Sequence, residues 1–265
     1  MDDARPKIAS RSSGRRFLLS LRRLITAPRA VPNTSTADQE FFLPMTSVDG
    51  ELASILRTSP PSRTRSQSLG LPLPAFVIKD FLSPDECTQL MALAEKHGFE
   101  TFDVEFRRSS RALIDGPSAA QALFERLEPH LSRAGLDNGP KGGWKRCSGL
   151  NEMLRFLRYR PGDYFKPHTD GRYVRSADDP RGAGDTSLLT LMLYLNQPEK
   201  GGETTFMPAG FVNKRNQLTH SIRPEAGLCL VFDHDLLHEG AMLREGVKYA
   251  VRTDVMYSRA PLPQP

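Results

Sequence analysis

The sequence predicts a mainly β fold with supporting helices, an α+β barrel or sandwich of antiparallel strands set behind a basic N-terminal tail. Three observations predict it. Two segments before residue 135 repeat their apolar residues with a helical spacing, and from residue 150 the period changes to two. The period-two segments are short and separated by Pro, Gly and Asp clusters, which suits hairpins and not an alternating βαβ sheet. The first 70 of the 265 residues carry little periodicity of either kind.

That first stretch, 1–70, is expected to be a disordered tail, with a single domain over 71–265. Ser, Thr, Pro and Arg dominate it, as in Thr58-Ser-Pro-Pro-Ser-Arg-Thr-Arg-Ser-Gln-Ser68. Such a composition buries too little apolar surface to offset the entropy of ordering. Arg15–Ile25 is a short basic amphipathic segment inside it. It reads either as a mitochondrial presequence or as a solvated or partner-binding segment, and Asp2 and Asp3 at the start weigh against the former.

Order is expected from Leu71. Phe76–Phe81 reads as a strand. Ser83-Pro-Asp-Glu86 then supplies an N-cap serine, a proline at the first helical position and a glutamate at the third, so a helix follows to His97 with Gly98 as its stop. A second helix fits Ala119–Arg133, with Leu123, Leu127, His130 and Leu131 on one stripe. Met153–Arg160, Leu188–Asn196, Glu203–Met207, Leu228–Phe232 and Lys248–Tyr257 read as strands. The long polar segment Arg172–Ser187 reads as a mobile loop at a pocket mouth.

Charge and cysteine content exclude several functions. Of 36 Lys+Arg and 31 Asp+Glu, residues 1–70 hold 11 and 6, which leaves 25 of each in the remainder. The basic character therefore belongs to the tail, and a neutral domain lacks the footprint that a nucleic-acid backbone demands. No run of about 18 apolar residues provides a membrane span. Three scattered cysteines make no disulfide framework. With no secretion signal either, a cytoplasmic location is expected, with mitochondria as the alternative.

Chemistry concentrates in Pro167-His168-Thr-Asp170-Gly171. On an extended segment, residues i and i+2 project to one side, so an imidazole and a carboxylate can grip one metal. A second histidine from another strand would complete a two-His-one-carboxylate triad of the kind that leaves ferrous iron open to oxygen. His238, after the apolar strand Leu228–Phe232, is the candidate, and His234 is its rival. Lys248 opens a strand ten residues after His238, where a cation can hold the far carboxylate of a dicarboxylate. Arg155 falls on one strand face with Tyr159 and reads either as a substrate contact or as half of a salt bridge. Arg252 shares a face with Lys248 and is either a second cation of the site or a cap on Asp254.

Several motifs in order carry a resemblance. They are Arg158-Tyr159-Arg-Pro-Gly162, Tyr164-Phe-Lys-Pro-His168-Thr-Asp170, Leu193-Tyr194-Leu-Asn196, Gly201-Gly-Glu-Thr-Thr-Phe206 and His238-Glu-Gly240 with Gly246-Val-Lys248. Together they resemble the iron(II)/2-oxoglutarate dioxygenases, in particular the prolyl 4-hydroxylase branch, over residues 73 to 258. The resemblance implies a double-stranded β-helix, or jelly roll. It implies Fe(2+) on His168, Asp170 and His238, and 2-oxoglutarate on Lys248, with Tyr194 as a donor, Tyr159 lining the pocket and Arg252 competing for the anchor. It further implies ascorbate as reductant, molecular oxygen, no catalytic group beyond the metal ligands, and hydroxylation of a C–H bond with release of succinate and carbon dioxide. The expected substrate is a prolyl residue of a protein or peptide. A small-molecule hydroxylase with the same cofactors, or a non-catalytic iron-binding sensor, is the alternative.

Overall fold

The computed structural model describes residues 48–56, 64–208 and 220–259. Helix α1 (Asp49–Leu56) and strand β1 (Arg65–Ser68) come first, then β2 (Ala75–Lys79) and α2 (Pro84–His97). A hairpin of β3 (Glu100–Val104) and β4 (Arg107–Asp115) leads into α3 (Pro117–Arg133) and β5 (Arg146–Leu150). The barrel strands follow: β6 (Met153–Tyr159), β7 (Tyr164–His168), β8 (Thr186–Tyr194), β9 (Lys200–Gly201) and β10 (Thr204–Phe206). The last are β11 (His220–Ile222), β12 (Cys229–Asp233), β13 (His238–Gly240), β14 (Leu243–Glu245) and β15 (Lys248–Ser258).

One antiparallel sheet runs β1-β2-β12-β8-β15-β6-β4 and then curls through β7-β13-β10-β11. Its heart is two four-stranded layers, β6-β15-β8-β12 and β7-β13-β10-β11. Among these eight strands the chain crosses between the layers at every step but one, with β6, β8, β12 and β15 in the first and β7, β10, β11 and β13 in the second, where β10 and β11 pair with each other. That winding is the jelly roll, a double-stranded β-helix. No helix among the described residues is long and apolar enough to cross a membrane.

Side-chain alternation divides the interior in two. On β8, Leu189, Leu191 and Leu193 face outward against the helices and join Leu90, Leu93, Leu123, Leu127 and Leu131 in one core cluster. Tyr194, two residues apart from Met192, faces the barrel lumen with Leu157, Tyr159, Phe206, Phe232 and Ala250. The helices thus brace one face of the first layer and leave the lumen to the site.

The helices start for legible reasons. Ser83 accepts the Glu86 N–H at 3.1 Å while the Glu86 carboxylate accepts the Ser83 N–H at 2.8 Å, the reciprocal capping box. Gly98 ends α2 with φ 86, a backbone angle that favours glycine. Helix α3 begins at Pro117, two residues before the expected start, and Gly116 brings it no side-chain cap. Asp49 of α1 caps it from outside, accepting the N–H groups of Ser118 and Ala119 at 2.9 and 3.1 Å.

Structure begins earlier than residue 71. Within the expected tail, α1 inserts Leu52 and Leu56 into the main core at 0% and 3% exposure. Strand β1 pairs along the outer edge of β2, Arg65 opposite Lys79 through Ser68 opposite Phe76. The physical reason is that α1 is only eight residues long, so its apolar stripe lacks the repeats that make a period visible. β1 is held by backbone hydrogen bonds that its polar side chains do not reveal. The Arg15–Ile25 segment lies outside the described residues.

The Arg172–Ser187 loop, expected to be mobile, is pinned. Arg175 is buried and donates to Glu152 at 2.7 and 2.8 Å, and Asp179 lies 3.4 Å away. The Arg175 N–H donates to the Asp185 carbonyl at 2.9 Å, and the Tyr173 N–H to Ser187 Oγ at 2.8 Å. A buried guanidinium with two carboxylates anchors the loop to the start of β6.

Candidate active site

His168 closes β7 and His238 opens β13, and the two are register partners across the second layer. Each ring is oriented the same way. Nδ1 of His168 lies 2.8 Å from the Lys166 carbonyl, and Nδ1 of His238 lies 2.9 Å from the Leu236 carbonyl. A carbonyl only accepts, so Nδ1 carries the proton and the Nε2 lone pairs turn inward. Phe165 stacks on His168 at 3.6 Å between ring centroids, and Phe232 meets His238 edge-on at 4.6 Å. Both imidazoles are therefore held by packing as well as by hydrogen bonds.

Asp170 joins them because its N–H donates to the His234 carbonyl at 3.0 Å, which ties the turn after β7 to the β12–β13 connection. Its carboxylate lies 3.8 Å from Nε2 of each histidine, Oδ1 toward His168 and Oδ2 toward His238. The three ligand atoms all lie within 4.8 Å of one another. The protonation states suit a cation. Burial, then the neighbouring His238, push His168 down to about 3, and burial likewise lowers His238. Burial would raise Asp170, but Arg252 and the two imidazoles outweigh it and hold the carboxyl well below its usual range. Two neutral imidazoles and one carboxylate facing a common point are the donor set for a divalent metal with open positions.

A second cluster lines the lumen nearby. Lys248 is the first residue of β15, opposite Tyr159 of β6, and is 4% exposed. Its Nζ donates to the Gly202 carbonyl at 2.7 Å and sits 5.1 and 5.3 Å from the ring centres of Tyr159 and Tyr194. Burial pushes the ammonium down to about 8, against the opposing pull of Glu203. Tyr194 OH shares a hydrogen bond of 2.6 Å with Thr204 Oγ1, and burial raises the phenol above its ordinary range. Ala250, the register partner of Tyr194, keeps this part of the lumen open. A buried ammonium beside two hydroxyls fits a carboxylate.

Of the residues singled out in the sequence, the structure brings His168, Asp170 and His238 to one point, and Lys248, Tyr194 and Tyr159 to another. It separates the two arginines from the second group. Arg252 lies 3.1 Å from Asp170 Oδ1 and 3.2 Å from Asp254 Oδ1. Arg155 donates to Asp254 Oδ2 at 3.2 Å, which is the salt-bridge reading of that residue. His234 is fully buried, with Nε2 3.6 Å from Asp254, and takes no place in the triad. Three contributors escaped the sequence reading: Thr190, whose Oγ1 donates to Asp170 Oδ2 at 2.5 Å, Thr204, and the Gly202 carbonyl under Lys248. Thr190 was findable by counting inward positions back from Tyr194. The Gly202 carbonyl was not, since glycine signals a turn and not what its carbonyl accepts.

The family model described as the 2OG-Fe(II) oxygenase superfamily matches residues 154–253. Over that stretch the chain is similar to the superfamily, whose description names 2OG and Fe(II). Its relatives include "Probable prolyl 4-hydroxylase 3" of Arabidopsis thaliana, 28% identical over 66% of this chain and 67% of the relative. "Prolyl 4-hydroxylase 1" of the same plant is 28% identical over 51% of this chain and 47% of its own length. Among solved structures, the viral collagen prolyl hydroxylase of Paramecium Bursaria Chlorella virus-1, in complex with 2OG, aligns with a TM-score of 0.46. It is 26% identical over 69% of this chain and 95% of that one. The chain thus spans between about half and two thirds of these two curated relatives.

Proposed function

We propose that this protein hydroxylates prolyl residues of a protein or peptide, with His168, Asp170 and His238 holding the iron and Lys248 anchoring 2-oxoglutarate. Bound together, iron and 2-oxoglutarate supply the oxidising power, consuming oxygen and releasing succinate and carbon dioxide. The chain's own residues do the rest. The triad presents three ligand atoms within 4.8 Å of one another, which would hold the iron. Lys248 and Tyr194 orient the dicarboxylate by its far end, and Phe165, Phe206 and Phe232 pack against the two imidazoles and hold their orientation.

The observation that carries the reading is Lys248 itself. A buried ammonium that makes no ion pair among the described residues is costly to keep unless an anion comes to it. Arg252 is supported less well as the anchor, because its guanidinium already faces two carboxylates. The prolyl substrate is supported by the names of the relatives. The test is to incubate the protein with iron(II), 2-oxoglutarate and a set of proline-containing peptides. Succinate release should be matched by a gain of one oxygen on proline. Succinate released only with small metabolites, and never with peptides, would overturn the substrate assignment.

Two expected outcomes follow for Lys248. Lys248→Ala should raise the 2-oxoglutarate concentration needed for half-maximal turnover by about tenfold to a hundredfold, the loss of a buried charge-assisted contact. The pH dependence has a definite sign. A lysine pushed down to about 8 is charged below that pH and neutral above it. Cosubstrate affinity should therefore be full below pH 8 and fall as pH rises through it, by roughly tenfold per unit well above. Lys248→Arg should lose that alkaline fall, since arginine stays charged. Calorimetric titration with 2-oxoglutarate in the presence of Mn(II), from pH 7 to 9, reads both.

A further inference from the structure

We infer that Arg252 is a positioning residue for the metal ligand Asp170, held in place by Asp254 and Arg155. The inference rests on the metal site proposed above and adds what orients its one anionic ligand.

On β15 every second side chain faces the lumen, so Lys248, Ala250, Arg252 and Asp254 form one inward row. β15 is flanked by β6 and β8, and the register sets Arg252 directly opposite Arg155 on one side and Asp254 opposite Thr190 on the other. Two guanidinium groups face to face across a ladder repel each other. Asp254, 2% exposed, lies between them and receives Arg155 on Oδ2 and Arg252 on Oδ1, each at 3.2 Å. The same terminal nitrogen of Arg252 lies 3.1 Å from Asp170 Oδ1. It carries two hydrogens, one for each carboxylate.

The result is a continuous row of alternating charge, Arg155–Asp254–Arg252–Asp170, that ends on the metal ligand. Asp170 is gripped from both sides: Arg252 is at Oδ1, and Thr190 donates to Oδ2 at 2.5 Å. Its carboxylate plane is thus fixed before any metal arrives. A guanidinium suits the task because its planar fork holds a fixed direction, whereas an ammonium is a point charge on a flexible stem.

A purely structural role would make the two arginines equivalent, since each neutralises buried Asp254. A positioning role makes them different, since only Arg252 reaches Asp170. The experiment compares Mn(II) affinity of the full chain, read by loss of the free-ion electron paramagnetic resonance signal, in Arg252→Met, Arg252→Lys and Arg155→Met. Circular dichroism checks that each is folded. Arg252→Met is expected to weaken Mn(II) binding by about tenfold to a hundredfold, the usual effect of losing a group that orients a metal ligand. Arg252→Lys should recover part of that loss, and Arg155→Met should bind close to the unsubstituted protein.

Equal losses in Arg252→Met and Arg155→Met would overturn the inference. So would tighter binding in Arg252→Met, which would mean that the guanidinium competes with the metal for the carboxylate. Should Arg252→Met fail to fold, Arg252→Lys decides: affinity equal to that of the unsubstituted protein would show that the fork is not needed. Failure of the unsubstituted protein to bind Mn(II) would instead overturn the metal site itself, and this inference with it.

Discussion

Asparagine at position 170 should reduce succinate formation to the level of the protein stripped of metal by a chelator. The change keeps the size of the side chain and removes only its charge. His168 and His238 are both held neutral, so Asp170 supplies the only negative charge among the three ligand atoms. A divalent cation leaving water for a site this enclosed needs that charge, because two imidazoles alone do not offset its dehydration. Turned with its oxygen toward Arg252, the amide can donate to Thr190 Oγ1, so its neighbours stay paired and the charge is what is lost. Added iron(II) should restore the chelated protein and should not rescue Asp170→Asn. The barrel should survive, since Arg252 keeps Asp254 as a partner. Turnover by Asp170→Asn at a rate near that of the unsubstituted protein would place the metal elsewhere. Removal of His234 in parallel separates the rivals, for its ring faces Asp254 and not the shared point.

How much of this was legible depends on the range over which a signal acts. His168 and Asp170 stand two residues apart, and the capping box of α2 spans four, so each is written in a local pattern. The faces of β8 were also legible, because alternation alone puts Tyr194 inward and Leu193 outward. Contacts that depend on which strands become neighbours were not. That Arg252 reaches Asp170 follows from β15 lying between β6 and β8 in a particular register, and no local spacing fixes a register. Arg175 gives the same lesson in a loop. Its polar neighbours suggest mobility, and its partner Glu152 lies 23 residues away in sequence. The β3–β4 hairpin was missed for a further reason. Charged residues crowd its outward face, and Ser109 and Ser110 sit on its buried stretch, so the apolar alternation is diluted.

The boundary near residue 71 carries the other large expectation, that removing residues 1–70 destabilises the barrel although the residues gathered at the two clusters of the site all lie after it. Three losses coincide. The first is packing: Leu52 and Leu56 sit in the main core, and truncating one buried leucine to alanine typically costs about 2–5 kcal/mol. The second is polar. Asp49 leaves two N–H groups at the start of α3 uncapped, and the Leu56 carbonyl no longer accepts from Arg126, a buried guanidinium paired with Glu86 at 2.6 Å. The third is the exposed edge of β2 once β1 is gone, a template for pairing between molecules. Together these should remove about 5 kcal/mol or more, which lowers the melting temperature of a domain this size by roughly 10–20 °C. Leu52→Ala in the full chain should reproduce about half of the fall without exposing the edge. It should therefore melt early but remain monodisperse, whereas the chain beginning at Leu71 should both melt early and aggregate. Scanning calorimetry with light scattering reads the two together. A chain beginning at Leu71 that melts within a few degrees of the whole protein would mean that α1 contributes little to the core and that the domain does begin there.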